Sequence, residues 1–463
     1  MTLAADIVRI LGDAASRPLP QHVTRMACLH LLDAVGVGFA ANAQDVGAPY
    51  RNFASEFVGK GAATIFGQTN GTDAATAAMV NGGLIHSLEY DDTHTASIVH
   101  GSAVLASTAL AMGEMSGAHG SAVVGAYILG WELLVRLGEA APGSFQSAGF
   151  QITSVGGALA AAYIAARLSN LDDETTVMAM GIALSQGSGV FEFLSNGSSV
   201  KSLHPGWAAH SGIVASQLAR HGLTGPLTSL EGRFGLFAAF ARDPAAAERL
   251  AISLTTIGRD WKMTEAAFKF YPCCHYIHPF IEAARKAKSA IGDASAVASI
   301  LCRVPPGAAP VICEPWPSKQ HPASPHAARW SLPIAVAAQI VDGRVDLETF
   351  ARPIRKEVED FAARISWKKL EPNDFPRKFE AELTFVMRDG RSHRERVDDV
   401  FGNVGRPPTE RDIREKFRAN ASGSLPESQV HRLESALEGL AAAASLASFT
   451  AACRGQRPSL ENE

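Results

Sequence analysis

Three stretches of the chain concentrate residue types that carry protons or hold anions. The first runs Asn81-Gly-Gly-Leu-Ile-His-Ser-Leu-Glu89-Tyr-Asp91-Asp92-Thr93-His94-Thr-Ala-Ser-Ile-Val-His100. Three carboxylates (Glu89, Asp91, Asp92) and two imidazoles (His94, His100) fall within twelve residues there, between two apolar helical segments. Clustered acids raise one another's pKa, and a neighbouring imidazole can trade protons with them, as general acid–base work requires. The same composition also suits an acidic loop capping the next helix. Asp and His are metal ligands as well, but no second cluster offers matching partners, so no metal is expected.

The second stretch is Asn196-Gly-Ser-Ser-Val-Lys201-Ser-Leu-His204-Pro-Gly206. Small residues place Lys201 and His204 just before an apolar helix, whose first N–H groups favour anions. By spacing alone, a solvated lysine at a helix start fits equally well. In the third, Phe268-Lys269-Phe-Tyr271-Pro-Cys273-Cys274-His275-Tyr276-Ile-His278, aromatic neighbours predict a partly buried Lys269. His275 and His278 lie one helical turn apart, which an exposed helix face would also produce. Neither cysteine has a base placed beside it by the sequence, so packing is the expected role for both.

The rest of the chain narrows the function. Its 463 residues predict two domains, and 47% hydrophobic with 19% charged residues is an ordinary globular composition. A net charge of −4 argues against phosphate-backbone or anionic-membrane binding, so an anionic substrate needs a local positive cluster. The start of the chain lacks a basic end followed by an apolar run. The most apolar stretch, Val155–Ala166, is too short to span a bilayer. Six scattered cysteines without C-x-x-C spacing predict reduced thiols in a cytoplasmic protein. The glycine-rich nucleotide loops, G-x-S-x-G and H-E-x-x-H are all absent.

Apolar residues at three- and four-residue spacing predict helices over His22–Val37, Asn81–Ser87, Ala103–Met115, Ser121–Arg136, Gly157–Arg167 and Ala208–His221. Ser116–Gly117 and Gly222 are stop signals, and Asp172–Asp173 is a start. Near residue 265 the texture changes. Val297–Val304 reads as a strand ending at Pro305. The alternation Phe379 to Met387 reads as another, turning at Asp389–Gly390 into Arg391–Val397. Leu332–Val341 and Leu347–Ala363 read as helices between them, and Glu410–Ala451 is helical again. The fold is therefore expected to be mainly α. Residues 1–264 and 406–463 form an all-helical domain, and 265–405 a smaller inserted α+β domain.

At the three stretches the sequence resembles the MmgE/PrpD family, which contains 2-methylcitrate dehydratase, cis-aconitate decarboxylase and iminodisuccinate epimerase. Leu31-Leu-Asp33-Ala-Val-Gly36, Gly222-Leu-Thr-Gly225-Pro, Leu230-Glu-Gly232-Arg-Phe-Gly235 and Ala328-Arg-Trp-Ser331-Leu-Pro333 resemble family landmarks in the right order. The resemblance implies a helical domain built from both chain ends with an α+β lid, a homodimer, and no metal or organic cofactor. It implies His100, Lys201, Lys269, Glu89 and Asp91 as catalytic residues: His100 moves a proton at carbon, and the lysines bind substrate carboxylates. Asp92, Thr93, His94, Gln151, His204 and His275 are implied as substrate contacts. The sequence departs from the family at Gln151, where relatives carry a histidine, and at His326-Ala327 and Ile334. It also has Glu89 where the decarboxylase has Asp.

The activity so implied is a cofactor-independent lyase, a hydro-lyase like 2-methylcitrate dehydratase, acting on a small di- or tricarboxylate through a carbanion beside a carboxylate. An epimerase of a related acid comes next and a decarboxylase third. A catalytically dead polycarboxylate-binding protein is the alternative from outside enzymology.

Overall fold

The computed structural model describes residues 2–59 and 61–455. Stretches of Ala, Gly and apolar residues form the central helices. Ala74–His86, Gly101–Ser116 and Ile152–Leu168 are buried nearly all round, as helices apolar on every face must be. Gln21–Ala43 and Gly120–Ala140 are longer than the periodic segments within them, because Ala and Gly at their ends blur the period. By length and composition either could cross a membrane, yet 83% of each apolar window is buried inside the fold. The sequence reading, which took Val155–Ala166 as the most apolar stretch, missed this.

Glycines set the helix spacing that builds the site. Ala74–His86 crosses Leu203–Arg220 with Gly82 against Gly206, where a Cβ on Gly206 would sit 2.2 Å from the Met79 carbonyl oxygen. That contact brings the start of the second helix, and Lys201 just before it, against the end of the first, which leads into Glu89. The predicted punctuation is present: Gly117 caps its helix at φ +65°, and the Asp172 carboxylate accepts the Thr175 N–H at 2.7 Å.

Both chain ends build the helical body. Glu410–Ala421 and Glu427–Glu438 pack on Gln21–Ala43, and one apolar core joins residues from Ala4 to Ala266 with Phe417 to Cys453. A second core runs from Cys273 to Val397 around four strands: β1 (Val297–Val304), β2 (Ile365–Lys369), β3 (Ala381–Met387) and β4 (Ser392–Val397). Their order is β2-β1-β3-β4, with β2 parallel to β1 and the other pairs antiparallel. The Asp389–Gly390 turn is where the sequence placed it, Gly390 taking φ +87°. Residues 456–463, assigned from sequence to the helical body, lie outside the described residues.

The structure corrects the sequence reading in three places. The helix expected over Leu347–Ala363 is a 3-10 turn at Leu347–Phe350 and a short helix at Lys356–Ala362, because Pro353 lacks the N–H a continuous helix needs. Strand β2 escaped the sequence reading, since Ile-Ser-Trp-Lys-Lys offers too few apolar residues to show a period. His204 is also not ahead of its helix: it is the second residue within it.

Candidate active site

The first helix of the glycine crossing ends at His86, and the chain then turns sharply with Glu89 at φ +52°. A left-handed non-glycine residue costs about 1 kcal/mol or more and persists only where its surroundings hold it. Three buried cations do so. Arg329 Nη1 donates to the Leu88 carbonyl at 3.1 Å, Lys269 Nζ to that of Glu89 at 3.1 Å, and Lys416 Nζ to that of Tyr90 at 3.0 Å. Farther on, Thr93 pairs with Ala267 through two backbone hydrogen bonds of 3.0 and 2.8 Å, which lays the segment carrying Lys269 alongside.

The turn aims the Glu89 carboxylate at Lys201, whose Nζ donates to both oxygens at 2.6 and 2.7 Å. Burial alone would raise the Glu89 pKa, but Lys201 and Lys269 outweigh it and hold the carboxyl at about 2. Burial pulls Lys201 below the ordinary lysine value despite the pull of Glu89, so the pair is costly at one end and favoured at the other. Lys201 is thus no solvated lysine. Its Nζ also lies 4.5 Å from the Trp330 ring centre.

His100 opens the next helix. Its Nδ1 lies 3.1 Å from the Asp92 carbonyl oxygen and 3.1 Å from Thr93 Oγ1. A carbonyl only accepts, so Nδ1 carries the proton and Nε2 keeps the lone pair. Burial, then the charges of Lys269 and Lys201, push its pKa well below the usual histidine range, leaving a neutral base. Beside it, with ring centres 5.0 Å apart, is His86. Three bonds form an oriented chain through His86. His204 Nδ1 donates to Gln151 Oε1 at 2.6 Å, Gln151 Nε2 to His86 Nε2 at 3.4 Å, and His86 Nδ1 to Asp91 Oδ2 at 2.8 Å. Burial and the nearby lysines keep His86 neutral, and burial with Lys201 lowers His204 to about 4. Burial raises Asp91, which Lys269 and His100 only partly oppose.

These groups border a cavity of about 440 Å³ between the helical body and the sheet-containing part. Of the residues expected from sequence, Glu89, Thr93, His100, Gln151, Lys201, Lys269 and His275 line it. Both ring nitrogens of His275 are buried without a hydrogen-bond partner, and burial with His278 lowers its pKa strongly. His275 and His278 are both buried, so no exposed helix face explains their spacing. Four expected residues stand off the wall. Asp91 lies behind His86 and His204 beneath Gln151. Asp92 turns away to His30 Nδ1 at 2.8 Å and the Ser102 N–H at 3.1 Å. His94 bonds Ser97 and faces Glu265 at 3.5 Å.

Sequence reasoning missed His86 as a participant, although it sits inside the first motif. It also missed Arg329 and Trp330, which lie in the quoted landmark. Phe191, Phe193, Phe375 and Phe379 on the wall gave no local signal at all. Cys273 and Cys274 are buried, and burial pushes Cys274 up to about 11 and Cys273 well above the ordinary thiol value, so neither is a ready thiolate. His86, Asp91 and His100 could converge on a metal ion, but Lys201 and Lys269 put two positive charges against that position. A second such cluster, His94, Glu139 and Glu265, was not anticipated; Lys262 Nζ already bridges its two carboxylates at 3.2 and 3.3 Å.

The chain is similar to cis-aconitate decarboxylases over nearly their whole length. Cis-aconitate decarboxylase of Mus musculus is 27% identical over 464 residues, spanning 96% of this chain and 91% of its own. Cis-aconitate decarboxylase of Aspergillus terreus is 25% identical, spanning 95% and 93%. The cis-aconitate decarboxylase-like protein oryM of Aspergillus oryzae is 25% identical over 98% of both chains. The MmgE/PrpD N-terminal domain matches residues 5–249 and the MmgE/PrpD C-terminal domain residues 271–441. With both halves matched and the acidic turn, His100 and the two lysines gathered on one cavity, this chain belongs to the MmgE/PrpD family.

Proposed function

We propose that the protein is a lyase that removes a carbon-bound proton next to a carboxylate, with elimination of water as the reaction. The observation that carries this reading is His100 on the wall of a cavity that Lys201 and Lys269 also line, its Nδ1 held by the Asp92 carbonyl so that Nε2 keeps the lone pair. Charge growing on the substrate carboxylate is met by Lys269, with Lys201 beside it, and Thr93 and Gln151 orient the bound acid. The departing hydroxyl needs a proton. Glu89, with its low pKa, is a poor donor, and Asp91 works through His86 rather than by contact. His275 is held neutral by burial as His100 is, so the proton that His100 takes from carbon is the one passed on to the departing hydroxyl, which then leaves as water. The reading needs no metal or organic cofactor.

Decarboxylation is the second reading, supported by the names of the relatives. It asks His100 to begin protonated, which burial beside two lysines opposes. Epimerisation would use His100 and His275 as the two proton carriers. A homodimer goes with this reading through the family resemblance, and a cytoplasmic location through six unpaired, buried cysteines.

The test is incubation with hydroxy-di- and tricarboxylates in deuterated water. Elimination gives a new alkene absorbance, epimerisation gives deuterium at carbon without one, and decarboxylation releases carbon dioxide. Binding without any of these, together with a His100→Ala variant altered only in affinity, would leave a non-catalytic binding protein.

A further inference from the structure

The cavity wall is not that of a site for a compact, highly charged acid. Its lining is mostly apolar, with Ile98, Phe191, Phe193, Trp330, Phe375 and Phe379 among the residues on it. They fall into two groups. Phe193 and Trp330, 6.2 Å apart, stand beside Lys201. Phe375 and Phe379, stacked at 5.8 Å, stand beside His275, whose ring meets Phe379 edge-on at 4.8 Å. The second group comes from the segment between β2 and β3, so the sheet-containing part adds its aromatics to Ile98, Phe191 and Phe193 of the helical body.

Charge points the same way. Among the described residues the lining cations are Lys201 and Lys269, and Glu89 already takes both oxygens' worth of Lys201. The lining imidazoles, His100 and His275, are held neutral by burial. One formal positive charge is therefore left for the ligand. A tricarboxylate would bring three negative charges into a mostly apolar enclosure and leave two without a counter-ion, which a buried site disfavours strongly. Glu89 is the length of side chain that closes this pair, one methylene longer than aspartate.

Resting on the carboxylate-carbanion reading above, we infer that the substrate is a mono- or dicarboxylate carrying an apolar limb, aromatic or branched alkyl. The carboxylate sits at Lys269, the reacting carbon at His100, and the limb between Phe375 and the Phe193–Trp330 pair.

Calorimetric titration of the full-length protein with succinate, benzylsuccinate and citrate tests it, read alongside proton exchange in deuterated water. Benzylsuccinate is expected to bind about tenfold or more tighter than succinate, by the burial of its ring, and citrate no tighter than succinate. Phe375→Ala should collapse the benzylsuccinate-to-succinate ratio, with Phe375→Leu as the milder variant if the first does not fold. Lys269→Met should weaken both ligands and keep their ratio. Glu89→Gln, by freeing Lys201, should raise citrate affinity by about tenfold. Citrate binding as tightly as benzylsuccinate in the wild type, or a ratio unmoved in both Phe375 variants, overturns the inference. Selective binding with no exchange in any acid overturns the carbanion reading instead and leaves the selectivity standing.

Discussion

Asp91 and Asp92 are neighbours in the chain and belong to two different buried clusters. Asp92 faces inward, to His30, Ser102 and, through the Ser102 hydroxyl, Tyr127 at 2.5 Å. The same interior holds Asp33 against Lys416 at 2.7 Å, and the His30 ring stacks on Phe268 at 4.0 Å. Asp91 faces the cavity side, through His86 to Gln151 and His204. Both clusters contain acids, imidazoles and a lysine, and both are buried. They differ in where the bonding capacity goes. Each leaves atoms without a hydrogen-bond partner, His30 Nε2 and Asp33 Oδ2 on the inner side and both nitrogens of His275 on the other, but the inner ones are sealed in the core whereas His275 and His100 line the cavity. Titratable residues become a reaction centre when their free valences open on a space a ligand can fill; the same residues sealed in the core are scaffold.

That contrast can be broken most sharply at His100. His100→Ala should lower isotope exchange by about 10²- to 10⁴-fold, with a thermal midpoint close to the parent's. On the inner side the loss should fall on stability first, with loss of exchange following through the Tyr90 carbonyl that Lys416 also caps. Lys416→Met leaves Asp33 as an uncompensated buried charge and should cost about 3–5 kcal/mol in urea unfolding.

The pH dependence sharpens the same contrast. His86, His100, His275 and His278 have folded pKa values well below the ordinary 6.5. Between the folded and unfolded values the unfolded chain binds more protons, so stability is fully present above about pH 6.5 and falls as the solution is acidified. Each such group contributes at most about 1.4 kcal/mol per pH unit in that window. Chemical unfolding at pH 7.5, 6.5 and 5.5 should show the decline beginning at the middle value. The exchange rate should stay flat from pH 7 to 8, because His100 is already neutral there. The smallest effect is expected at His94→Gln: exchange should change by about twofold or less, as that ring faces Glu265 rather than the cavity.

Much of this was legible in the sequence, and the losses have physical reasons. Helices with a polar face or a cap, such as the one starting at Asp172, announce themselves. Gln21–Ala43, buried over most of its length and ending in small residues, shows its presence but not its length. β1 and the β3–β4 hairpin were visible by apolar content and the Asp-Gly turn, whereas β2 is short and half polar. In the site, charged and titratable residues could be picked out by type. Which way each points could not: Asp91 and Asp92 are adjacent residues, and the bend at Asp91 sends them to opposite sides. The phenylalanines of the wall are ordinary core residues in any local window, and only the fold brings residues 191, 193, 375 and 379 to one cavity.

The turn at Glu89 has a consequence for the order of events during folding. Its shape is set by Leu88, Glu89 and Tyr90, but the cations that cap their carbonyls come from positions 269, 329 and 416. Loops of roughly two to three hundred residues must close before all three arrive, and such closures come late. A nascent chain carries the acidic motif, His100 and Lys201 long before it has a site. Catalytic competence therefore serves as a clock for the last steps of folding: it appears only when the C-terminal helices have returned to the body that the N-terminus began.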